Sequence, residues 1–398
     1  MPGEHQTVWI LGSGFSRALG GPLLADLLSP PSNNFVQALY DDNPYIGVLS
    51  SLAADTDSEI ARHAARTVRM MYEACGGLAS KDNRFWDDAE QFLDQLDAAA
   101  GTEDTSGSEK ERPPTSRMRR AVDYALRDGD GVYVRKLTEL RDAARRLVAA
   151  ECCAFLKDAN LEEERWQPYR SWAKELSPLD ALVTFNYDRV LERLDLYVID
   201  PASPVEHASK ANVFKLHGSV DWQVKPGPDS RPRQFIRTEN PENALAVIGP
   251  MIGIATPGPT KKLATEWLEK IWTPALKRIN KAEVIVFVGY RFPPSDAEAR
   301  EKLLVAITEN KSQHVELHIV LGPDLHHKDV VRLEQLLRYA MGKRGREDIS
   351  QEQRVGMMLL GTANTYAVTK HALWAEDFFT VWHRNLLWPA GLHFARRP

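Results

Sequence analysis

Thr7-Val-Trp-Ile-Leu11 runs straight into Gly12-Ser-Gly-Phe-Ser16 and then into Arg17-Ala-Leu-Gly-Gly-Pro22-Leu-Leu. A short apolar run closed by a glycine turn and followed by a helical pattern is the opening of a βαβ unit. Similar runs return far downstream, at Ala181–Thr184, Val213–Leu216, Val284–Val288 and Val315–Leu321. Each is rich in β-branched or aromatic residues, and each ends at a polar or glycine turn. Helical patterns separate several of them, as in Leu263–Ile279 and Ala297–Thr308. Strands alternating with helices build parallel sheets. The expected fold is therefore α/β: a doubly wound, mainly parallel Rossmann-like sheet with a large helical insertion after the first strand.

The insertion is read from a gap in the strand pattern. Between Leu11 and Ala181 no stretch reads convincingly as a strand. Helical spacing is kept there by Phe85, Ala89, Phe92, Leu93 and Leu96, and again by Leu137, Leu140, Ala144, Leu147 and Val148. The expected organisation is a sheet domain made of residues 1–31 plus 176–398, with 32–175 as the helical insertion. Within the insertion, residues 101–116 are polar and rich in turn formers, and a mobile loop is expected. Residues 225–262 carry seven prolines and read as a loop-rich interruption of the sheet. The C-terminal part, 325–398, is expected to be helix-rich, with a late strand at Tyr366–Thr369 and an aromatic helix from Ala372 to Leu387.

Composition removes several classes of function. Fifty Lys and Arg stand against 55 Asp and Glu, a net charge of −5, so no overall basic excess recruits phosphate backbones and direct nucleic-acid binding is not expected. Every apolar run falls far short of the roughly 20 residues a membrane helix needs. The polar Met1–Gln6 leads directly into the first strand, and no signal peptide is expected. Three cysteines and no C-x-x-C pair give neither a disulfide framework nor a structural zinc site, so a cytoplasmic protein without a metal is expected. The neighbours His326 and His327 point apart on a helix and lack an evident third ligand. Lys343–Arg346 reads as a solvated basic loop. Trp374, Phe378, Phe379, Trp382 and Trp388 read as core packing or a subunit contact.

Gly12-x-Gly14 after a strand lets backbone N–H groups approach a pyrophosphate. However, Arg17 stands where a dinucleotide fingerprint has its third glycine, and no acidic residue follows at the ribose position, which disfavours an ordinary dehydrogenase. Four further motifs close four further strands: Thr184-Phe-Asn-Tyr-Asp188, Lys215-Leu-His-Gly-Ser219-Val-Asp-Trp222, Gly289-Tyr-Arg-Phe-Pro-Pro-Ser-Asp296 and Leu321-Gly-Pro-Asp324. Ligands bind at the carboxyl ends of parallel strands. Gly12, Asn186, His217, Gly289 and Gly322 are accordingly expected around one crevice.

With these motifs in order, the chain resembles the sirtuin superfamily, specifically the divergent bacterial branch of Sir2-like domains found in anti-phage defence proteins. Gly12-Ser-Gly-Phe-Ser16 is similar to the GAGIS motif, and Gly20-x-Pro22 to the start of its GIPDF continuation. Thr184-x-Asn186-x-Asp188 is similar to TQNID, and His217-Gly218 to the catalytic histidine–glycine pair. Gly289-Tyr-x-Phe-Pro, and the proline-rich segment before it that ends in Lys261-Lys262, look like the defence branch. The likeness spans about 1–30 and 176–325. It departs from the deacetylases in lacking the four zinc-binding cysteines, in Leu-Leu after Pro22, and in Gly322 where they carry asparagine.

The resemblance implies an enzyme that cleaves NAD, its substrate, to nicotinamide and ADP-ribose. Asn186 and His217 would be catalytic, and Gly12, Ser13, Gly14, Phe15, Ser16, Asp188, Gly289 and Tyr290 would bind the dinucleotide. Nicotinamide leaves as a neutral group, so the chemistry asks mainly for a bound pyrophosphate, a distorted ribose and a positioned nucleophile. A neutral amide at Asn186 suits ribose hydroxyls or a water, and an imidazole at His217 suits a general base. Without a module for acyl-lysine peptides, water is the expected acceptor. An ADP-ribosyltransferase using the same site and a catalytically silent NAD- or ADP-ribose-binding subunit of a defence complex are the alternatives, with deacetylation least favoured. A toxic activity implies restraint, through a homo-oligomer or a co-encoded partner such as an ATPase or nuclease.

Overall fold

The structure is a computed structural model that describes residues 5–23, 27, 145, 148–225, 234–238, 251–254, 262–293, 296–343, 345–347 and 364–382. The loop expected at 101–116, the helical spacing at 85–96, Leu137, Leu140, Ala144 and Leu147 of the later one, Cys75 and Trp388 lie outside the described residues.

Eight strands form one sheet in which every pairing is parallel. They are β1 (Thr7–Leu11), β2 (Ala181–Thr184), β3 (Tyr197–Val198), β4 (Asn212–Lys215), β8 (Val284–Val288), β9 (His314–Val320), β10 (Arg346–Glu347) and β11 (Thr365–His371), in the order β10-β11-β9-β8-β1-β2-β4-β3. β1 lies between β2 and β8, with Leu11 level with Thr184 on one side and Val288 on the other. From β1 the chain builds outward first to β2, β4 and β3, then crosses back to β8 and builds outward the other way. The order therefore changes direction at β1 and β8, the place where a parallel sheet opens a crevice at its carboxyl edge. All residues of β1, β2 and β8 are buried, which is why these runs are continuously apolar rather than alternating.

A second, three-stranded antiparallel sheet has β5 (Gly218–Lys225) between β6 (Gln234–Arg237) and β7 (Met251–Ile254). Two of its strands lie in the stretch 225–262 that the prolines mark as a loop-rich interruption. Both are four-residue strands, too short for a period-2 pattern to stand out between proline turns.

Among the helices, α1 (Ser13–Ser16) follows β1, and α2 (Gln167–Glu175) starts with proline in its first turn, where no amide is missed. α3 (Val190–Arg193) follows β2. α4 (Lys262–Ile279) contacts β2 and β4, α5 (Ala297–Thr308) lies between α4 and α6 (Lys328–Gly342), and α6 contacts β9 and β11. The last, α7 (Ala375–Val381), packs on α2. His327 caps α6, its ring nitrogen accepting from the Asp329 amide at 3.3 Å.

The aromatic part of the core gathers on Trp9. Its ring meets Trp172 at 5.2 Å and Trp382 at 5.0 Å, both edge-on, and lies near Phe378 and Phe379. Phe379 in turn stacks on Trp172 at 4.6 Å. α2 thus belongs to the packing of the sheet, although its residues fall in the 32–175 segment. Tyr169 Oη also donates to the Phe15 carbonyl at 2.8 Å, and Arg165 donates to the Leu19 carbonyl. No helix among the described residues is long and apolar enough to cross a membrane.

Candidate functional site

The turn after β1 and the turn after β8 are clasped backbone to backbone. The Gly12 amide donates to the Val288 carbonyl at 3.0 Å, and the Gly14 amide to the Gly289 carbonyl at 3.3 Å. A Cβ on Gly12 would lie 2.6 Å from the Gly289 oxygen, and one on Gly14 2.7 Å from the Gly289 Cα. Gly289 itself has φ +67°. Only glycine meets these demands together. The Phe15 amide donates to the Gly12 carbonyl. In this structure the amides of Gly12, Gly14 and Phe15 are therefore engaged with protein carbonyls.

Residues 184–188 leave β2 as an irregular segment whose alternate side chains serve two neighbourhoods. On one side, Asn186 Nδ2 donates to the Gly12 carbonyl at 3.0 Å and to Ser16 Oγ at 3.1 Å, and Ser16 Oγ donates to Asp188 Oδ2 at 2.6 Å. Asp188 Oδ1 accepts from the Val190 amide at 3.0 Å, fixing the start of α3. Burial pushes the Asp188 carboxyl above its usual range, against the opposing pull of Lys215, Ser16 and the Val190 amide. Lys215, the last residue of β4, is itself buried. It donates to the Asp188 carbonyl, to Ser219 Oγ at 2.7 Å and to Glu192 Oε1 at 3.0 Å.

On the other side, Phe185 and Tyr187 frame His217. Phe185 meets the imidazole edge-on at 4.8 Å, and the Tyr187 ring lies at 6.2 Å. His217 sits at the joint between the parallel sheet and the antiparallel one, two residues after β4 and one before β5. Its Nε2 lies 3.2 Å from Asp296 Oδ2, with side-chain exposures of 2% and 0%. Tyr290 Oη donates to the same oxygen at 2.6 Å, and the Tyr290 ring stacks flat on Phe185 at 4.0 Å.

The residues read from the motifs thus fall into distinct places. Gly12, Ser16, Asn186 and Asp188 are joined by hydrogen bonds. His217 and Tyr290 are joined through Asp296. Gly14 and Gly289 hold the two turns together. The Phe15 ring points away from both groups, into Tyr169, Trp172 and Phe379. Ser13 opens α1. Gly322 follows β9, the strand beside β8, with its amide on the Leu373 carbonyl and Trp374 against it.

Asp296 closes the motif that follows β8; it stands at the capping position before α5 and makes no side-chain capping bond. One participant escapes a reading by motif. Lys215 closes an apolar strand, and a charge at a buried strand end signals a buried partner (here Glu192). The buried thiols of Cys152 and Cys153 are pushed well up by burial first, and then by Asp188 and Asp221 respectively, so neither is an activated nucleophile at neutral pH. No group of three or more His, Cys, Asp or Glu among the described residues is arranged to hold a metal ion. Compared with known proteins, the chain matches no family model and no curated protein.

Proposed function

We propose that the chain is a Sir2-like NAD glycohydrolase that cleaves NAD to nicotinamide and ADP-ribose, and so depletes NAD in bacterial anti-phage defence. One observation carries the reading most: the polar residues that follow β1, β2, β4 and β8 gather at the carboxyl edge of a parallel sheet, beside the point where the strand order changes direction. The same reading takes the sheet as doubly wound and 32–175 as a helical insertion. It also takes the protein as cytoplasmic, oligomeric and restrained by a partner such as an ATPase or nuclease until infection.

The chemistry follows from the residue types. As the C1′–N bond breaks, its electron pair leaves with neutral nicotinamide and positive charge develops at the ribose. His217 takes a proton from water as the water oxygen bonds C1′. Asn186, Ser16 and Asp188 present an amide, a hydroxyl and a carboxyl toward the dinucleotide's hydroxyls. The silent binding subunit remains the second reading, favoured by Asn186 Nδ2 already donating to Gly12 and Ser16.

Nicotinamide release from NAD, followed by chromatography, separates the two. His217→Ala is expected to lower release by about 10²–10⁴-fold, the usual worth of a general base, and Asn186→Ala to lower it as well. Should the purified chain be silent, lysate from phage-infected cells is added. Release appearing then means a restrained enzyme, and silence under both conditions ends the hydrolase reading. A labelled acceptor in place of free ADP-ribose would identify the transferase.

A further inference from the structure

We infer that Asp296, held by Tyr290, is the positioning residue that sets the tautomer and orientation of His217. The inference rests on His217 acting as the base proposed above.

The ordinary role for an aspartate just before a helix is to cap it, with the carboxylate accepting amides of the first turn. Asp296 stands in that place before α5 and makes no such bond. Its carboxylate is turned instead toward His217 Nε2 and Tyr290 Oη, both on the same oxygen, Oδ2. Its own backbone amide donates to the Pro293 carbonyl at 3.0 Å. Burying a carboxylate completely is costly unless its oxygens are held by donors. A histidine and a tyrosine on one oxygen meet part of that demand.

The backbone around this loop is held against its preferences. Phe292 is a bulky residue at φ +51°, and it precedes a proline, which favours extended backbone. Its ring is wholly buried, 5.7 Å from Phe287 and 5.2 Å from Tyr290. A strained residue persists where surrounding packing over-determines it. Here the packing that does so also seats Tyr290 on Phe185, and Phe185 on the edge of His217. One chain of contacts thus leads from the β8 loop to the imidazole.

The consequence is chemical. A carboxylate 3.2 Å from Nε2 favours the neutral tautomer that carries its hydrogen on that nitrogen, which makes Nδ1 the basic one. When Nδ1 takes the proton from the attacking water, the ring becomes an imidazolium and the buried Asp296 charge stabilises it. Tyr290 keeps the carboxylate from rotating away.

The test reads the tautomer directly. The full chain, labelled with ¹⁵N-histidine, is compared as wild type, Asp296→Asn and Tyr290→Phe, with His217 assigned by the signal lost in His217→Gln. The wild-type neutral ring is expected to carry its proton on Nε2, and Asp296→Asn to shift it wholly or partly to Nδ1. Nicotinamide release by Asp296→Asn is expected to fall about 10²–10⁴-fold in kcat with KM for NAD changed less than about threefold, the pattern of a misplaced base rather than a lost binding contact. Tyr290→Phe is expected to do the same more weakly, with kcat down about tenfold. Unchanged tautomer in Asp296→Asn, or kcat within threefold of wild type, overturns the inference. If Asp296→Asn does not fold, Tyr290→Phe decides by the same two readouts, because it keeps the ring that stacks on Phe185 and removes the hydroxyl that donates to Asp296. The tautomer is read without turnover. A wild type that releases no nicotinamide under any condition, but whose tautomer changes in Asp296→Asn, refutes the hydrolase and supports the positioning contact.

Discussion

Gly289 and Gly342 make opposite demands on a side chain. Gly289 combines φ +67° with a backbone packed against Gly14, so a Cβ there is both conformationally strained and without room. Gly342 ends α6, and the nearest atom to a Cβ there is Tyr366 Oη at 3.9 Å, an ordinary contact. Gly289→Ala is expected to destabilise the protein by about 2 kcal/mol or more, by analogy with other strained or overpacked sites. Gly342→Ala should be neutral or stabilising by up to about 1 kcal/mol, since alanine is the better helix former. Urea unfolding of the two variants measures both; a Gly289→Ala midpoint equal to wild type would mean that the clasp between the two turns opens at little cost. The residue scale also shows where motif reading stops. Asn186, Asp188 and His217 were legible because small and polar residues close apolar runs. That Asn186 bonds Ser16 while His217 lies against Asp296 was not, because such pairings are tertiary and leave no spacing in the chain.

At the level of elements, the runs that read most clearly are those buried on both faces. β1, β2 and β8 are found at the bounds their apolar runs give, and α5 at those of its helical pattern. β3 and β10 escaped notice because two-residue edge strands have no periodicity. β6 and β7 were hidden among prolines. The aromatic residues near the chain's end read as packing, and the structure gives them a partner: Phe378, Phe379 and Trp382 surround Trp9 at the centre of the sheet. Phe379 is the hinge of that cluster, touching Phe15, Tyr169 and Trp172 as well. Phe379→Ala is expected to cost about 3–5 kcal/mol, the usual price of deleting a buried aromatic ring. The urea midpoint should fall at constant slope. A loss under 1 kcal/mol would show that α7 contributes little to holding the sheet.

For the molecule as a whole, pH acts through a row of buried groups on β9 and β11. Glu316 Oε2 lies 3.4 Å from His318 Nε2, and His318 Nδ1 lies 3.1 Å from His371 Nε2. Burial alone would raise Glu316, but the hydrogen bonds from His314 and His318 outweigh it and hold the carboxyl at about 2. Burial first, and then His318, lowers His371 from 6.5 to about 3. Both shifts have the same sign. The unfolded chain binds more protons than the folded one, so stability falls as pH drops from about 6.5 to 3 through His371 and from 4.5 to 2 through Glu316. Asp188, raised by burial, acts in the opposite sense. The slope is therefore read as a difference: His371→Phe is expected to lose less stability than wild type between pH 7 and pH 4 in urea titrations, and equal losses would remove His371 from the account. The position of β1 has a consequence of another kind. Its neighbours β2 and β8 begin only at residues 181 and 284. On the ribosome, a strand with no polar face waits with both edges bare for on the order of ten seconds or more while the rest of the chain is made. A wholly buried strand is thus made well before either strand that covers its edges, and a message truncated ahead of residue 181 would leave both edges bare.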